Sequence, residues 1–174
     1  MPAFETLPLF PFVVIKCYMT ASKQWTRGSA LLATASFCAT LLLLSSPALG
    51  TPPVACDHVS PVFEGELLDR INQYRAGNGL GALSRHKTLD VMAKRHSKDM
   101  CKEEVLSHDG FSERFHQSGK RRCVENVGWN CTSAAEQFTM WKRSPGHNHN
   151  LLDEGIRSAG LSRTGPYVTF FACD

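Results

Sequence analysis

The C-terminal end of the chain constrains its fold more than any other segment. The segment "IRSAGLSR" at 156–163 is followed by the turn sequence "TGP" and then by "YVTFFACD" at 167–174, which is rich in β-branched and aromatic residues. A connection this short allows an antiparallel pair of strands but not a parallel crossover, which needs about a dozen residues. The sequence therefore predicts a C-terminal β-hairpin and a sheet that is at least partly antiparallel.

Two amphipathic helices are predicted before the hairpin. In "SPVFEGELLDRINQYRAGNG", Ser60 is a plausible N-cap, Pro61 takes the first helical position, and Gly77 and Gly79 end the helix. In "KTLDVMAKRHSKDMCKE" at 87–103, apolar side chains recur at helical spacing. His96 lies on that apolar stripe, so we expect it to be packed and hydrogen-bonded rather than to be a metal ligand.

The segment between residues 111 and 143 alternates between helical and extended patterns. "FSERFHQ" places Phe111 and Phe115 on the inner face of a short helix, and "SAAEQFTMWK" begins with Ser133 and Glu136 at capping-box spacing. Between them, "RRCVENVGWNCTS" lacks helical periodicity and predicts a strand or an extended loop. Helices therefore alternate with strands, which predicts an α+β fold with helices on both faces of a sheet.

An apolar segment near the N-terminus predicts export. "SALLATASFCATLLLL" at 29–44 follows Lys23 and Arg27 and runs into "SSPALG", whose small residues suit cleavage after Gly50. The apolar run is shorter than the roughly 20 residues of a membrane-spanning helix, so a retained anchor is the alternative. We expect a secreted, extracellular protein with no stable membrane span once the leader is removed.

This interpretation divides the chain into three parts. Residues 1–50 are the secretory leader, 51–62 a short lead-in and 63–174 the folded domain. A chain of 174 residues, 43% of them hydrophobic, is enough for one modest domain after the leader is removed.

Charge argues against a nucleic-acid partner. The chain has 19 Lys and Arg and 16 Asp and Glu residues, of which three and one lie in the leader. The remaining 16 cations and 15 acids lack the basic surplus that phosphate binding needs. The basic cluster "GKRRC" at 119–123 is typical of a solvated loop.

The chain's cysteines indicate disulfides in an oxidising compartment. Two of the seven, Cys17 and Cys38, lie in the leader. Five stay in the exported chain: Cys56, Cys101, Cys123, Cys131 and Cys173. An odd number leaves one thiol over and does not choose the pairing: Cys123 with Cys131 would close a short loop, but Cys101 is an equally acceptable partner for either. No CxxC motif occurs, which argues against a zinc knuckle or a thioredoxin-type pair.

The tripeptide "NCT" at 130–132 is an N-glycosylation acceptor sequence. In a eukaryotic source, Asn130 is therefore expected at the surface and able to carry a glycan. The middle residue, Cys131, would block that transfer if it formed a bridge early.

Seven short motifs occur in the order found in one known family. They are "LLDRINQYR" at 67–75, "HSKDM" at 96–100, "SHDGF" at 107–111, "ENV" at 125–127, Trp141, "SPGH" at 144–147 and "NLL" at 150–152. Together they resemble the CAP superfamily, which groups cysteine-rich secretory proteins, insect antigen 5 and plant pathogenesis-related proteins of class one. The "SPGH" form resembles its bacterial and protist branches. The resemblance implies a three-layer α-β-α sandwich with a central, mostly antiparallel sheet.

The resemblance also implies a surface cleft in which two histidines and acidic residues meet. Matched motif by motif, His108 and His147 are the histidines and Glu125 is the acid, and "SPGH" starts a helix. For a second family glutamate the segment offers only Glu136, which no motif anchors. If the segment is helical, His147 and His149 point about 200° apart, so only an extended segment would let both bind one ion.

Two imidazoles and a carboxylate are the minimum donor set of a catalytic zinc site. We therefore expect a weak divalent-metal site, zinc being the best match, formed by His108, His147 and Glu125. The resemblance favours a secreted module that binds an extracellular protein or a lipid such as a sterol. The alternative is a metal-dependent protease or esterase, although neither HExxH nor a nucleophile motif is present. A third interpretation is a buried His108–Glu125 pair that only fixes two loops.

Overall fold

Helices and strands alternate along the chain, as the sequence predicts. The structure, a computed structural model, describes residues 15–16, 56 and 60–174. Within these residues there are five strands and five helices: β1 (Ile15–Lys16), α1 (Pro61–Gly77), β2 (Ser84–Arg85), α2 (Lys87–Glu103), α3 (Phe111–Ser118), β3 (Cys123–Trp129), α4 (Ala134–Arg143), α5 (Pro145–Leu151), β4 (Ser158–Thr164) and β5 (Tyr167–Cys173).

All of these elements belong to one unit, formed by residues 1–18 and 54–174. A second unit comprises residues 19–53, of which none is described. The predicted leader therefore lies outside the described residues apart from β1, and its cleavage stays a prediction. Among the described helices, none is long and apolar enough to cross a membrane.

The predicted hairpin forms the centre of a five-stranded sheet of order β1-β3-β5-β4-β2. β4 and β5 pair antiparallel, and Gly165 makes their turn with a φ of 54°, a conformation that glycine adopts without strain. β3 pairs antiparallel with the other side of β5, so "CVENVGW" is a strand and not an extended loop. The two-residue strands β1 and β2 pair parallel with β3 and β4. The sheet is thus mostly antiparallel, as expected.

Neighbouring residues of β5 face different helical layers. Phe171 packs against Leu89 of α2, whereas Phe170 packs in a second cluster with Ile71 of α1 and Trp141 of α4. Successive side chains of a strand point to opposite faces, so α2 covers one face of the sheet and α1 and α4 cover the other. The predicted three-layer α-β-α sandwich is confirmed.

Helix α2 rests directly on β4 at Gly160. A Cβ atom at this position would lie 2.0 Å from the backbone carbonyl carbon of Leu89, so no larger residue fits without moving backbone. Next to this contact, the Asp90 carboxylate accepts a hydrogen bond from the backbone N–H of Leu161 at 3.0 Å. Both contacts fix α2, and with it His96, over the sheet.

Two predicted helix starts are present. Ser133 caps α4, because its hydroxyl accepts a hydrogen bond from the backbone N–H of Glu136 at 3.2 Å. Pro145 stands in the first turn of α5, so "SPGH" starts a helix. Since α5 is helical, the extended alternative in which His147 and His149 bind one ion together does not apply.

The sequence pattern of helix α3 predicts that Phe111 and Phe115 are buried, but the helix buries a different residue. Phe111 and Phe115 are only half-buried, although the Phe111 ring lies edge-on to Phe171 with centroids 6.1 Å apart. The residue that α3 buries is Arg114, with 6% exposure. The ion pair of Arg114 with Glu125 on β3 therefore contributes more to the position of α3 than its aromatic side chains do.

The disulfides do not include the Cys123–Cys131 bridge that the sequence allowed. Cys123 pairs with Cys173, directly opposite on β5, and Cys56 pairs with Cys101 on α2. Cys131 is disulfide-bonded as well. The expected leftover thiol is therefore not found among the described cysteines.

The basic cluster at 119–123 joins α3 to β3, and its cations pair within the domain. The Arg122 guanidinium lies 2.6 Å from the carboxylate of Asp153, and that of Arg121 lies 3.3 Å from Asp174. Neighbouring acids thus neutralise two of its charges, in keeping with a solvated loop.

Candidate functional site

Glu125 is the centre of the site. It pairs with Phe171 in the sheet, and both side chains face the layer formed by α2. Only 2% of the residue is exposed. A carboxylate this deeply buried is stable only when other groups compensate its charge.

Arg114 and His108 supply that compensation. The Arg114 Nε donates to Oε2 of Glu125 at 2.8 Å, and its Nη2 donates to Oε1 at 2.8 Å. This is the two-pronged geometry in which a guanidinium binds a carboxylate most strongly. His108 Nδ1 lies 2.9 Å from Oε1, so both carboxylate oxygens are engaged.

These contacts also set the ionisation of Glu125. Burial alone would raise its pKa, but the hydrogen bonds from His108 and Arg114, together with the nearby charges, outweigh burial and hold the pKa below its ordinary value. Glu125 is therefore ionised at neutral pH. A general base that works at neutral pH needs a pKa near 7, and this environment shifts the carboxylate in the opposite direction.

His96 is packed and hydrogen-bonded, as predicted, but it also belongs to the site. Its Nε2 lies 2.9 Å from the carbonyl oxygen of Ser107, which only accepts, so Nε2 carries the proton. The same nitrogen lies 3.7 Å from Oε1 of Glu125. Burial is the largest influence on His96 and lowers its pKa, despite the opposing charge of Glu125.

The segment that carries His147 is docked on the strand residue next to Glu125. Asn126 donates a side-chain hydrogen bond to the backbone carbonyl of His147 at 3.1 Å. Asn150 donates to the backbone carbonyl of Glu125 at 3.1 Å and to the side-chain oxygen of Asn126 at 2.9 Å. The His147 ring is buried beside Trp141, with centroids 6.3 Å apart.

Of the predicted site residues, His108 and Glu125 are in direct contact. His147 is held through its backbone carbonyl by Asn126, whose side chain leaves β3 on the opposite face from that of Glu125. Sequence reasoning assigned no site role to four residues that complete the arrangement: His96, Arg114, Asn126 and Asn150. Both asparagines stand inside the motifs "ENV" and "NLL", which is a signal that could have identified them. Arg114 stands in no motif, and its role follows only from the packing of α3 on β3.

Glu125 is poorly placed to be a direct metal ligand, because Arg114 and His108 already engage both of its carboxylate oxygens. A direct metal bond would cost Glu125 its contacts with Arg114 or His108. A carboxylate that orients a ligating histidine through the other ring nitrogen is common at metal sites, and Glu125 stands in that relation to His108. Across the described part of the chain, no group of three or more His, Cys, Asp and Glu side chains is arranged to hold an ion. Metal binding stays a prediction.

A cleft of about 280 Å³ opens between α2 and α3. The buried side chains of His96 and Arg114 line it, as do Ser107 and Asp109 on either side of His108. Its other charged lining residues are Arg95, Asp99, Glu103 and Glu113. The cleft combines charged side chains with apolar surface. It reaches the Glu125 cluster through His96 and Arg114, whereas His108, Glu125 and His147 do not line it.

Comparisons with known proteins agree with this architecture. The CAP model, which describes the cysteine-rich secretory protein family, matches residues 68–173. No curated protein matches the chain significantly. An extracellular protein containing an SCP domain from Bacillus anthracis has a TM-score of 0.61 at 23% identity, covering 64% of this chain and 40% of that chain.

Two further solved structures are similar. A cysteine-rich secretory protein from Staphylococcus aureus has a TM-score of 0.60 at 17% identity, covering 65% of this chain and 38% of that chain. An outer surface protein from Borrelia burgdorferi has a TM-score of 0.62 at 17% identity, covering 67% and 97%. At these identities the likeness shows the fold, and the matched chain spans only 40% and 38% of the first two structures.

Proposed function

Because the chain belongs to the CAP family of cysteine-rich secretory proteins, we propose that it acts outside the cell as a binding module rather than as a hydrolase. The location is supported by the apolar leader sequence, by the disulfides Cys56–Cys101 and Cys123–Cys173, and by structural relatives described as extracellular or outer-surface proteins. Export with removal of residues 1–50, which would also remove the edge strand β1 from its pairing with β3, and glycosylation at Asn130 are part of this proposal.

The observation that carries the proposal is the state of Glu125. A hydrolase that used this cleft would need its acid as a base or as a metal ligand. Here Arg114 and His108 engage both carboxylate oxygens and keep the group ionised with a lowered pKa. Glu125 therefore serves to join α3 and the loop at His108 to the sheet, which shapes the cleft.

The lining of the cleft indicates the chemistry of its ligand. Charged and polar side chains predominate among the lining residues, but their stems and Met100 give the walls at least as much apolar as polar surface. The charged groups suit a polar segment of an extracellular protein, and the apolar surface would also accept an apolar group.

A weak divalent-metal site is the second part of the proposal. His108 and His147 would hold the ion, and Glu125 would orient His108 from outside the coordination shell. With only two protein ligands, affinity should be modest and the fold should survive a chelator. Because imidazole must be neutral to bind, affinity should weaken in acidic solution.

Zinc calorimetry combined with hydrolysis assays tests both parts. We expect zinc to bind the unmodified protein, and we expect His108→Ala and His147→Ala to lose that binding. His116→Ala, which changes an exposed histidine of α3, should bind as the unmodified protein does. Equal binding in all four proteins would refute the metal site. Zinc-dependent ester or peptide cleavage that Glu125→Gln abolishes would establish the hydrolase instead.

A further inference from the structure

The contact between His108 and Glu125 determines which nitrogen of His108 carries the proton. A neutral imidazole has one N–H and one lone pair, and an ionised carboxylate only accepts hydrogen bonds. Since Nδ1 is the nitrogen that meets Oε1 of Glu125 at 2.9 Å, Nδ1 must donate. The lone pair of His108 is then on Nε2, the nitrogen with which a histidine in this tautomer binds a cation.

The same carboxylate oxygen depends on Arg114 for its position. The guanidinium holds Oε1 and Oε2 at 2.8 Å each, which fixes the carboxylate plane, and Arg114 is itself held because its Nη1 donates to the backbone carbonyl of Asp109 at 2.8 Å. Asp109 follows His108 directly. One arginine therefore fixes both the acceptor of the His108 proton and the loop that carries the ring.

We infer that Arg114 is the positioning residue that gives His108 its binding-competent tautomer, through Glu125. No sequence motif marks this role of Arg114. The inference extends the proposed metal site, and the part of its test that measures zinc affinity rests on that proposed function. A lysine in its place would keep the positive charge but lose the planar two-pronged contact, so the carboxylate would be free to rotate away from Nδ1. The ligand class is a divalent cation that accepts the Nε2 lone pair, such as zinc.

The test compares Arg114→Lys with a matched variant, Arg85→Lys. Arg85 also donates to a buried acid, Glu64, at 2.7 Å, and it holds Asp90 through Nε. The control therefore loses a comparable guanidinium contact far from His108 in the chain. Nitrogen-15 NMR of the histidine rings, recorded on metal-free protein, reports the tautomer of His108. Calorimetry with zinc reports affinity.

We expect His108 to be protonated at Nδ1 in the unmodified protein and in Arg85→Lys. In Arg114→Lys we expect a mixture of tautomers and zinc affinity about 10-fold to 100-fold weaker, the usual effect of losing an orienting partner. An unchanged His108 spectrum and unchanged zinc affinity in Arg114→Lys would overturn the inference.

Two further outcomes are decisive. If the unmodified protein binds no zinc, the proposed metal site fails, and the spectra of metal-free protein still test the tautomer. If Arg114→Lys does not fold, Arg114→Gln serves as the second variant, and the same change of tautomer is expected in it. A proton on Nε2 of His108 in the unmodified protein would contradict the inference whichever variant is used.

Discussion

Arg114 and Glu125 form a buried two-pronged ion pair between α3 and β3, with both hydrogen bonds 2.8 Å long. The two side chains are 7% and 0% exposed. In such surroundings a lone charge is very costly, so each partner depends on the other. The pair fixes α3 on the sheet, and the position of the loop at His108 depends on it.

Replacing Arg114 by Met should destabilise the domain by about 3–5 kcal/mol, because Glu125 would keep a buried charge with one compensating partner fewer. Chemical denaturation measures this loss. Arg121→Met removes an arginine that is 94% exposed in its pair with Asp174, and its midpoint should stay unchanged. Equal effects of the two substitutions would contradict the buried role of Arg114.

Replacing Gly160 by Ala should destabilise the fold by about 1–3 kcal/mol or more, because the new methyl group would overlap the backbone of α2 at Leu89. The matched change, Gly65→Ala, meets nothing within 4 Å and lies inside α1. It should stabilise the protein by about 0.5–1 kcal/mol through helix propensity. Thermal unfolding of both variants checks the opposite signs.

Stability should fall as pH decreases below about 6.5, the ordinary pKa of histidine. The pKa of His96 is lowered in the folded state, chiefly by burial, so the unfolded chain binds a proton that the folded protein does not yet accept. Between these two pKa values the loss approaches about 1.4 kcal/mol per pH unit. His96→Gln should flatten this dependence, whereas His116→Gln should leave it intact. Identical pH profiles in all three proteins would refute the role of His96.

The sequence predicts the scaffold better than the site. The C-terminal hairpin and the cap at Ser133 are local signals, since turn length and side-chain spacing determine them. The motifs also identify His108 and Glu125, which do meet. Arg114 could not be found in this way, because its partner lies 11 residues away on another element. For His96, the helical periodicity of apolar residues correctly predicts burial. It could not predict that the buried carboxylate of Glu125 lies beside the ring.

The disulfide pairing also could not be predicted from the sequence alone. From the sequence, Cys123 could pair with Cys101 or Cys131, and only the register of β3 on β5 brings it opposite Cys173. This bridge closes a separation of 50 residues, for which chain entropy corresponds to about 4 kcal/mol. Replacing both cysteines by Ala should therefore cost about 2–5 kcal/mol in denaturant unfolding. A loss well below 1 kcal/mol would mean that strand pairing alone holds β3.

The carboxyl carbon of Glu125, followed by carbon-13 NMR across the pH range, tests most directly whether this residue supports a binding surface or performs hydrolysis. A structural carboxylate held by Arg114 and His108 should remain ionised to well below the ordinary glutamate pKa of about 4.3, because the pKa of Glu125 is lowered in the folded protein. Its signal should then stay constant from pH 8 down to about 4. A midpoint between about 6 and 7, the range that a general base or acid requires, would contradict the account and favour the hydrolase.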